Sequence, residues 1–204
     1  MSVEDLRETM RFLQARIVEL QEENRALQQD IQGWQDIFRT LLTLQEMANV
    51  VTEQTNVLNL LDRILESALR SIGAADGSLM LIDADKAEMV FVVVHGAIRE
   101  KLVNHRISLG HGIAGWAATH GEAVRVSDVS LDERFSPDID HAFDFHTRSM
   151  LCVPVIYAGR VLGVIQALNK QDGEQFVETE LTLLGIVANL AALAIYKAET
   201  AVAA

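Results

Sequence analysis

The sequence reads as an α+β domain, an antiparallel sheet with flanking helices, preceded by a long coiled-coil helix. Three observations carry this reading. Residues 6–41 keep apolar positions in steps of four and three, which is the heptad of a paired helix. The middle of the chain alternates short apolar, β-branched runs with turn residues. The last apolar segment is too long for a strand, and no parallel βαβ repeat is visible, so the long helices gather on one face of an antiparallel sheet.

In the heptad, Leu6, Leu13, Leu20, Leu27, Trp34 and Leu41 fall at d, and Met10, Ile17, Ile31 and Phe38 at a. Asn24 also falls at a. β-branched residues at a, leucine at d and one buried asparagine favour a parallel two-stranded coil in fixed register. An asparagine amide meets its own copy across such a dimer, whereas other arrangements strand it in an apolar seam. The expected seam is therefore Leu13, Ile17, Leu20, Asn24, Leu27, Ile31 and Trp34. An amphipathic helix lying on its own domain is the plainer alternative, but the pattern runs without Gly or Pro until Gly33. Gln14, Gln21, Gln28 and Gln35 occupy e, so charge pairing does little to choose the partner.

The coil runs on through Leu41-Leu42-Thr-Leu44 into the next domain. A helix follows a Thr55-Asn56 cap, with Val57, Leu58, Leu60, Leu61, Ile64, Leu65, Ala68 and Leu69 on its apolar face and Gly73 at its end. Strands are expected at 78–82 and 89–94 around the turn-rich Asp83-Ala-Asp-Lys86. A short strand near Ile107, a brief helix at 113–119 and a strand at 123–126 come next. Residues 127–149 read as one polar, turn-rich loop. Strands at 150–157 and 160–168 flank an Ala158-Gly159 hairpin turn, and a last helix spans about 177–197. The divisions are residues 1–37 for the coil, 38–198 for the globular domain and 199–204 for a C-terminal tail.

Composition narrows function. The chain has 204 residues, half of them apolar, 23% charged, and a formal net charge of −12. So acidic a chain repels phosphate backbones and anionic lipid, which sets nucleic acid and membrane surface aside as partners. Cys152 is the one cysteine, so no intramolecular disulfide or zinc knuckle is expected. The acidic Met-Ser-Val-Glu-Asp start is not the pattern of a signal peptide. The apolar run from Leu183 to Tyr196, interrupted by Asn189, is shorter than the roughly 20 residues of a span. The expected compartment is the cytoplasm.

Gly110-His-Gly112-Ile-Ala-Gly115 spells a dinucleotide fingerprint. That fingerprint needs a buried parallel strand before it and a crossover helix after it. Here the preceding residues are Asn104, His105 and Arg106, so the glycines read as a tight turn into a short helix. Asp138, Asp140, His141, Asp144 and His146 have no ligand-like spacing, and no metal is expected there. Cys152 reads as a small buried hydrophobe in an alternating run. No nucleophile elbow, phosphate loop or Ser/His/Asp signature is present, so no catalytic residue is assigned and the chain is expected not to be an enzyme.

Three stretches carry a resemblance: Gly112-Ile-Ala-Gly-Trp-Ala-Ala-Thr-His-Gly121, Phe145-His-Thr-Arg-Ser-Met-Leu-Cys-Val-Pro-Val155, and Gly163-Val-Ile-Gln-Ala-Leu-Asn-Lys170. The segment resembles the GAF domains of cyclic-nucleotide phosphodiesterases and bacterial signalling proteins, with weaker similarity back to about Phe38. The resemblance implies a GAF/PAS-like fold with a small-molecule pocket between the sheet and the polar loop. It implies pocket positions at Ser78, Ala114, Asp140, Thr147 and Gln166, with His95 beside them. It also implies a latch between the last strand and last helix, made by Asn169, Lys170, Phe176 and Glu180, where Glu180 stands for the family's aspartate. Departures fall at Phe143, where a pocket threonine is common, at Asp144, where glycine follows, and at Val94-His95, where the family has Phe-Asp. Cyclic nucleotide is one ligand the family implies, although the base-stacking aromatic and the base-reading acid are absent here; haem through His95 or His146 is another. Free-methionine-sulfoxide reductases of this fold use several cysteines, and this chain has one.

The expected function is a non-catalytic regulatory or sensory domain in intracellular signalling, a homodimer through its coil that binds a small ligand. Its output is expected on a signalling protein of another chain. The alternative is a ligand-free adaptor of the same fold. The cofactor is left unassigned.

Overall fold

A computed structural model of the chain describes residues 12, 14, 16–25 and 57–202. Residues 16–25 are helical, with an Arg16–Glu19 ion pair at 2.6 Å. Ile17, Leu20 and Asn24, three of the expected seam residues, are exposed on the single chain. Leu13, Leu27, Ile31 and Trp34 lie outside the described residues, as does the Thr55-Asn56 cap.

Helix α1 (Val57–Ile72) buries Leu60, Leu61, Ile64, Leu65, Ala68, Leu69 and Ile72, an i, i+3/i+4 stripe of the kind that seats a helix on a sheet. Gly73 ends it at φ 63°, the left-handed turn that glycine tolerates best. Strands β1 (Ala74–Asp83) and β2 (Glu88–His95) follow, then a single helical turn α2 (Arg99–Leu102) and β3 (Arg106–Ser108). Helix α3 (Gly112–His120), β4 (Val124–Val126), a 3-10 turn (Val129–Leu131) and α4 (Asp138–Phe143) come next. Strands β5 (Met150–Tyr157) and β6 (Arg160–Lys170) and helix α5 (Glu178–Val202) complete the order.

The six strands form one sheet in the order β3-β2-β1-β6-β5-β4, and every neighbouring pair is antiparallel. Strand alternation divides its residues between two layers. Met80, Met89, Phe91, Met150, Cys152 and Val164 join Leu102, Ile113, Ala117 and Ala118 in one core cluster under α3. Leu79, Leu151, Val153, Ile165 and Ala167 alternate with these and are buried on the face where α1 and α5 pack. Close approach on that face depends on glycine. A Cβ at Gly77 would lie 2.5 Å from the Leu69 side chain, and one at Gly163 would run into the Met80 carbonyl. The β5–β6 turn has positive φ at both Ala158 (49°) and Gly159 (79°), the backbone that suits the strand twist of a two-residue hairpin.

Several boundaries differ from the sequence expectation. Strands β1 and β6 are longer at the ends where they pair, Ala74 with Lys170 and Asp76 with Leu168. Backbone pairing, rather than side-chain pattern, extends them. The polar stretch 127–149 is not one loop, because it holds the 3-10 turn and α4. Asp128 starts the 3-10 turn by accepting from the Ser130 N–H at 2.9 Å and its hydroxyl at 2.7 Å. Helix α5 runs beyond Lys197 to Val202, with Glu199 paired to Arg160 at 2.6 Å, so the expected tail begins as helix.

The final helix is also long and apolar enough to cross a membrane, over Glu178–Thr200 at a mean hydropathy of 1.7, where the sequence reading counted a shorter run. Its Leu183, Leu184, Val187, Ala188, Ala191, Ala192 and Ile195 are buried within the domain, which accounts for its apolar character as that of a core helix.

Candidate functional site

Between the sheet and the layer of α3 and α4 lies a cavity of about 80 Å³. Its floor is a rung of the sheet. Ser78 of β1 pairs in register with Gln166 of β6, and Gln166 pairs with Cys152 of β5, so the three stand side by side on one face. The Ser78 hydroxyl donates to Gln166 Oε1 at 3.3 Å. The Gln166 amide nitrogen reaches only sulfur, Met150 Sδ at 3.6 Å and Cys152 Sγ at 3.9 Å. Cys152 itself lies under Ile113, and burial pushes its thiol up to about 12.

The roof has two parts. The first turn of α3 brings Gly112, Ile113 and Ala114 to the cavity. Its N-cap, His111, makes no side-chain cap, so the first amides of that helix have no intrahelical partner. The fingerprint glycines find their use here: Gly110 (φ 89°) and Gly112 (φ 64°) turn the chain. Gly115 packs so closely on the Gly110 backbone that a Cβ would collide with it. The second part is the lid formed by α4 and the residues after it. Asp140 accepts from the Thr147 N–H at 2.7 Å through one carboxylate oxygen and from the Thr147 hydroxyl at 2.8 Å through the other. His111 meets Asp138 at 3.3 Å on the lid's outer side. Phe143 stands edge-on to His105 with ring centroids 5.2 Å apart, anchoring the lid rather than lining the cavity. Asp144 holds the left-handed turn after α4 at φ 52°, the conformation glycine would take most easily.

All six candidate pocket residues, Ser78, His95, Ala114, Asp140, Thr147 and Gln166, line this one cavity. They do not share one role. Ser78 and Gln166 present polar atoms from the floor, and Asp140 spends both oxygens on Thr147. His95 turns its ring away. It is the register partner of Gly77, hence on the helix face, and its Nε2 lies 3.2 Å from both the carbonyl and the carboxylate of Asp62 in α1. An imidazole nitrogen so engaged is not free for haem iron. His146 is exposed, and its carbonyl accepts from Asn169.

The sequence reading missed the walls. Phe91, Ile98, Leu102, Ile107, Phe135, Ile139 and Phe145 make the cavity mostly apolar. Asp76 stands at its edge and accepts from the Ala97 N–H at 3.2 Å. Gly96, at φ 110° against the Asp76 carboxylate, is the one local signal for that turn. No Lys or Arg among the described residues lines the cavity. Among the described residues no group of three or more His, Cys, Asp or Glu is placed to hold a metal.

Beyond the cavity, Lys170 Nζ meets Glu180 Oε1 at 3.0 Å with side chains only 13% and 17% exposed. Glu180 Oε2 also accepts from the Val177 N–H at 2.8 Å, capping the start of α5. Phe176 is fully buried. Asn169, at φ 56°, accepts from the Arg148 N–H at 2.8 Å and donates to the His146 carbonyl at 2.9 Å. Lys170 and Glu180 thus join the end of β6 to α5, and Asn169 ties the same end to the segment that follows the lid.

Comparison with known proteins gives a consistent result. The family described as "GAF domain" matches residues 56–195. A probable 3',5'-cyclic phosphodiesterase of Caenorhabditis elegans, pde-5, is 32% identical over 120 residues, covering 54% of this chain but 16% of that one. The chain therefore spans less than a fifth of that relative's length. The GAF domain of a phosphoenolpyruvate-protein phosphotransferase from Coxiella burnetii superposes with a TM-score of 0.72 at 20% identity, over 83% of this chain and 98% of that one. A free methionine-R-sulfoxide reductase from Neisseria meningitidis, solved with its substrate, superposes with a TM-score of 0.63 at 24% identity, over 78% and 89%.

Proposed function

The chain belongs to the GAF domain family of regulatory and sensory modules, and from that premise we infer that the cavity under α3 and α4 is the ligand site of a non-catalytic signalling sensor. The observation that carries this is the convergence of residues from six places in the chain on one half-open, mostly apolar space with a polar floor, the usual form of a small-molecule site. The one thiol is fully buried and held protonated, whereas a reactive cysteine needs an open, electropositive setting.

The signal would cross the sheet where the cavity rim meets α1. Leu69 sits against Gly77, and Asp62 holds His95; both rim residues lie beside Ser78 and Asp76. The N-terminal heptad, as a parallel coil, would join two such domains in a cytoplasmic homodimer. The cyclic-nucleotide phosphodiesterase relative makes cyclic nucleotide a ligand to test. The cavity volume, far below the roughly 300–1,000 Å³ of drug-sized sites, argues that such a ligand would need the lid to open.

Thermal shift with cyclic AMP, cyclic GMP and a metabolite set tests the reading. A ligand at a hundredfold over its Kd adds about 2.7 kcal/mol, or roughly 5–10 °C for a chain of this size. Absence of any shift favours the adaptor reading instead. Sedimentation showing a monomer at micromolar concentration would refute the coil.

A further inference from the structure

We propose that the cavity takes a compact, uncharged, mostly apolar molecule bearing one carbonyl-type oxygen, seated on the amide of Gln166. The proposal rests on the reading of the cavity as a ligand site and goes on to name the ligand's chemistry.

Gln166 is 7% exposed and Ser78 2%. The Ser78 hydroxyl spends its proton on the amide oxygen of Gln166, so the side-chain donor the floor has left to offer is the amide NH₂. Thioether and thiol sulfurs are its only acceptors, and they are weak ones. Buried donors are normally matched by oxygen or nitrogen. The mismatch marks a place where an sp² oxygen would be taken up. The opposite wall agrees, because the uncapped amides at the start of α3 and its dipole favour partial negative charge there.

Charge excludes the ionic alternatives. An anion would enter a space with two carboxylates on its lining, Asp76 and Asp140, and no Lys or Arg among the described residues, and a buried charge without a counter-ion is costly. The histidines on the wall do not repair this, since His95 is held by Asp62 and His111 by Asp138. A cation is no better served: Asp140 has both oxygens on Thr147, and Asp76, which gives one oxygen to the Ala97 N–H, stands at the edge of the cavity, away from the Gln166 floor. Size sets the last limit: about 80 Å³ suits a small ring or short branched chain.

The test uses the full chain, ¹⁵N-labelled, titrated with three probes of one carbon skeleton: cyclopentanone, cyclopentanecarboxylate and cyclopentylammonium. The ketone is expected to shift the amide resonances of Ala114 and Thr147 and to bind about tenfold tighter than either ion, the scale of one good hydrogen bond. Gln166→Leu should remove that preference while the spectrum stays folded. Gln166→Glu should transfer it to the ammonium. Equal or tighter binding of carboxylate or ammonium to the unaltered chain would overturn the ligand class and leave the sensor reading standing. So would unchanged ketone binding in folded Gln166→Leu. If no probe moves any cavity resonance, this proposal falls, and the ligand-site reading is decided by the thermal-shift screen with the larger ligands.

Discussion

Removing Lys170 from its pair with Glu180 should weaken the whole domain, and the size of the loss can be argued from the geometry. The two side chains are 3.0 Å apart and 13% and 17% exposed, too buried for the negligible worth of a surface pair. Removing one partner of a fully dry pair costs about 3–5 kcal/mol, because the remaining charge is left without compensation. The residual exposure lowers the expectation for Lys170→Met to about 2–3 kcal/mol. Glu180→Ala should cost about 1 kcal/mol more, since it also removes the cap on the Val177 N–H. Urea unfolding measures both, and each kcal/mol corresponds to roughly 2–4 °C in Tm for a domain of this size. The decisive measurement is the double variant Lys170→Met with Glu180→Ala, which leaves no orphan charge. It should recover at least about 1.5 kcal/mol relative to the sum of the single losses. Single losses under about 0.5 kcal/mol, or strict additivity, would refute the idea that this pair fastens β6 to α5.

Two further outcomes are expected from buried groups. Because burial raises the Cys152 thiol from 9.0 to about 12 in the folded chain, the unfolded chain ionises first. Stability should therefore fall as pH rises above about 9, by up to about 1.4 kcal/mol per pH unit, and Cys152→Ala should lack that component; identical alkaline profiles for the two would count against the buried thiol. Gly163→Ala places a Cβ on the Met80 carbonyl, which is backbone and cannot swing aside. A loss of about 3 kcal/mol or more, read by the same urea unfolding, is expected, and a near-neutral effect would mean that β1 and β6 do not lie this close.

The sheet and its two long helices were legible because their signals are local. The α1 stripe, the 150–157 and 160–168 runs and the Ala158-Gly159 turn each state a period or a backbone preference within a few residues. What was misread is set by distant partners. The first residues of β1 have no strand pattern, yet they are strand because Lys170 and Leu168 pair with them. Helix α4 has no buried residue of its own. It exists through the Asp140–Thr147 clasp and the Phe143–His105 contact, and neither pairing follows from spacing.

The cavity shows a sharper limit of the same kind. Sequence comparison within a family brings positions together, but the direction of each polar atom depends on neighbours it does not mention. His95 stands where the family has an acid, yet its ring serves α1, because the rung it shares with Gly77 faces the helices. Asp140 is acidic at a pocket position, yet both its oxygens already accept from Thr147. Among the candidate pocket side chains, Gln166 is the one that keeps donor capacity directed at the space. Sequence reasoning could place it there only as a pocket position implied by family resemblance. The structure adds that its strong acceptor is missing, since Met150 and Cys152 supply sulfur at 3.6 and 3.9 Å. Recognition in this domain is therefore expected to turn on one neutral amide and on shape, with the flanking charges spent on holding the lid and the helix layer in place.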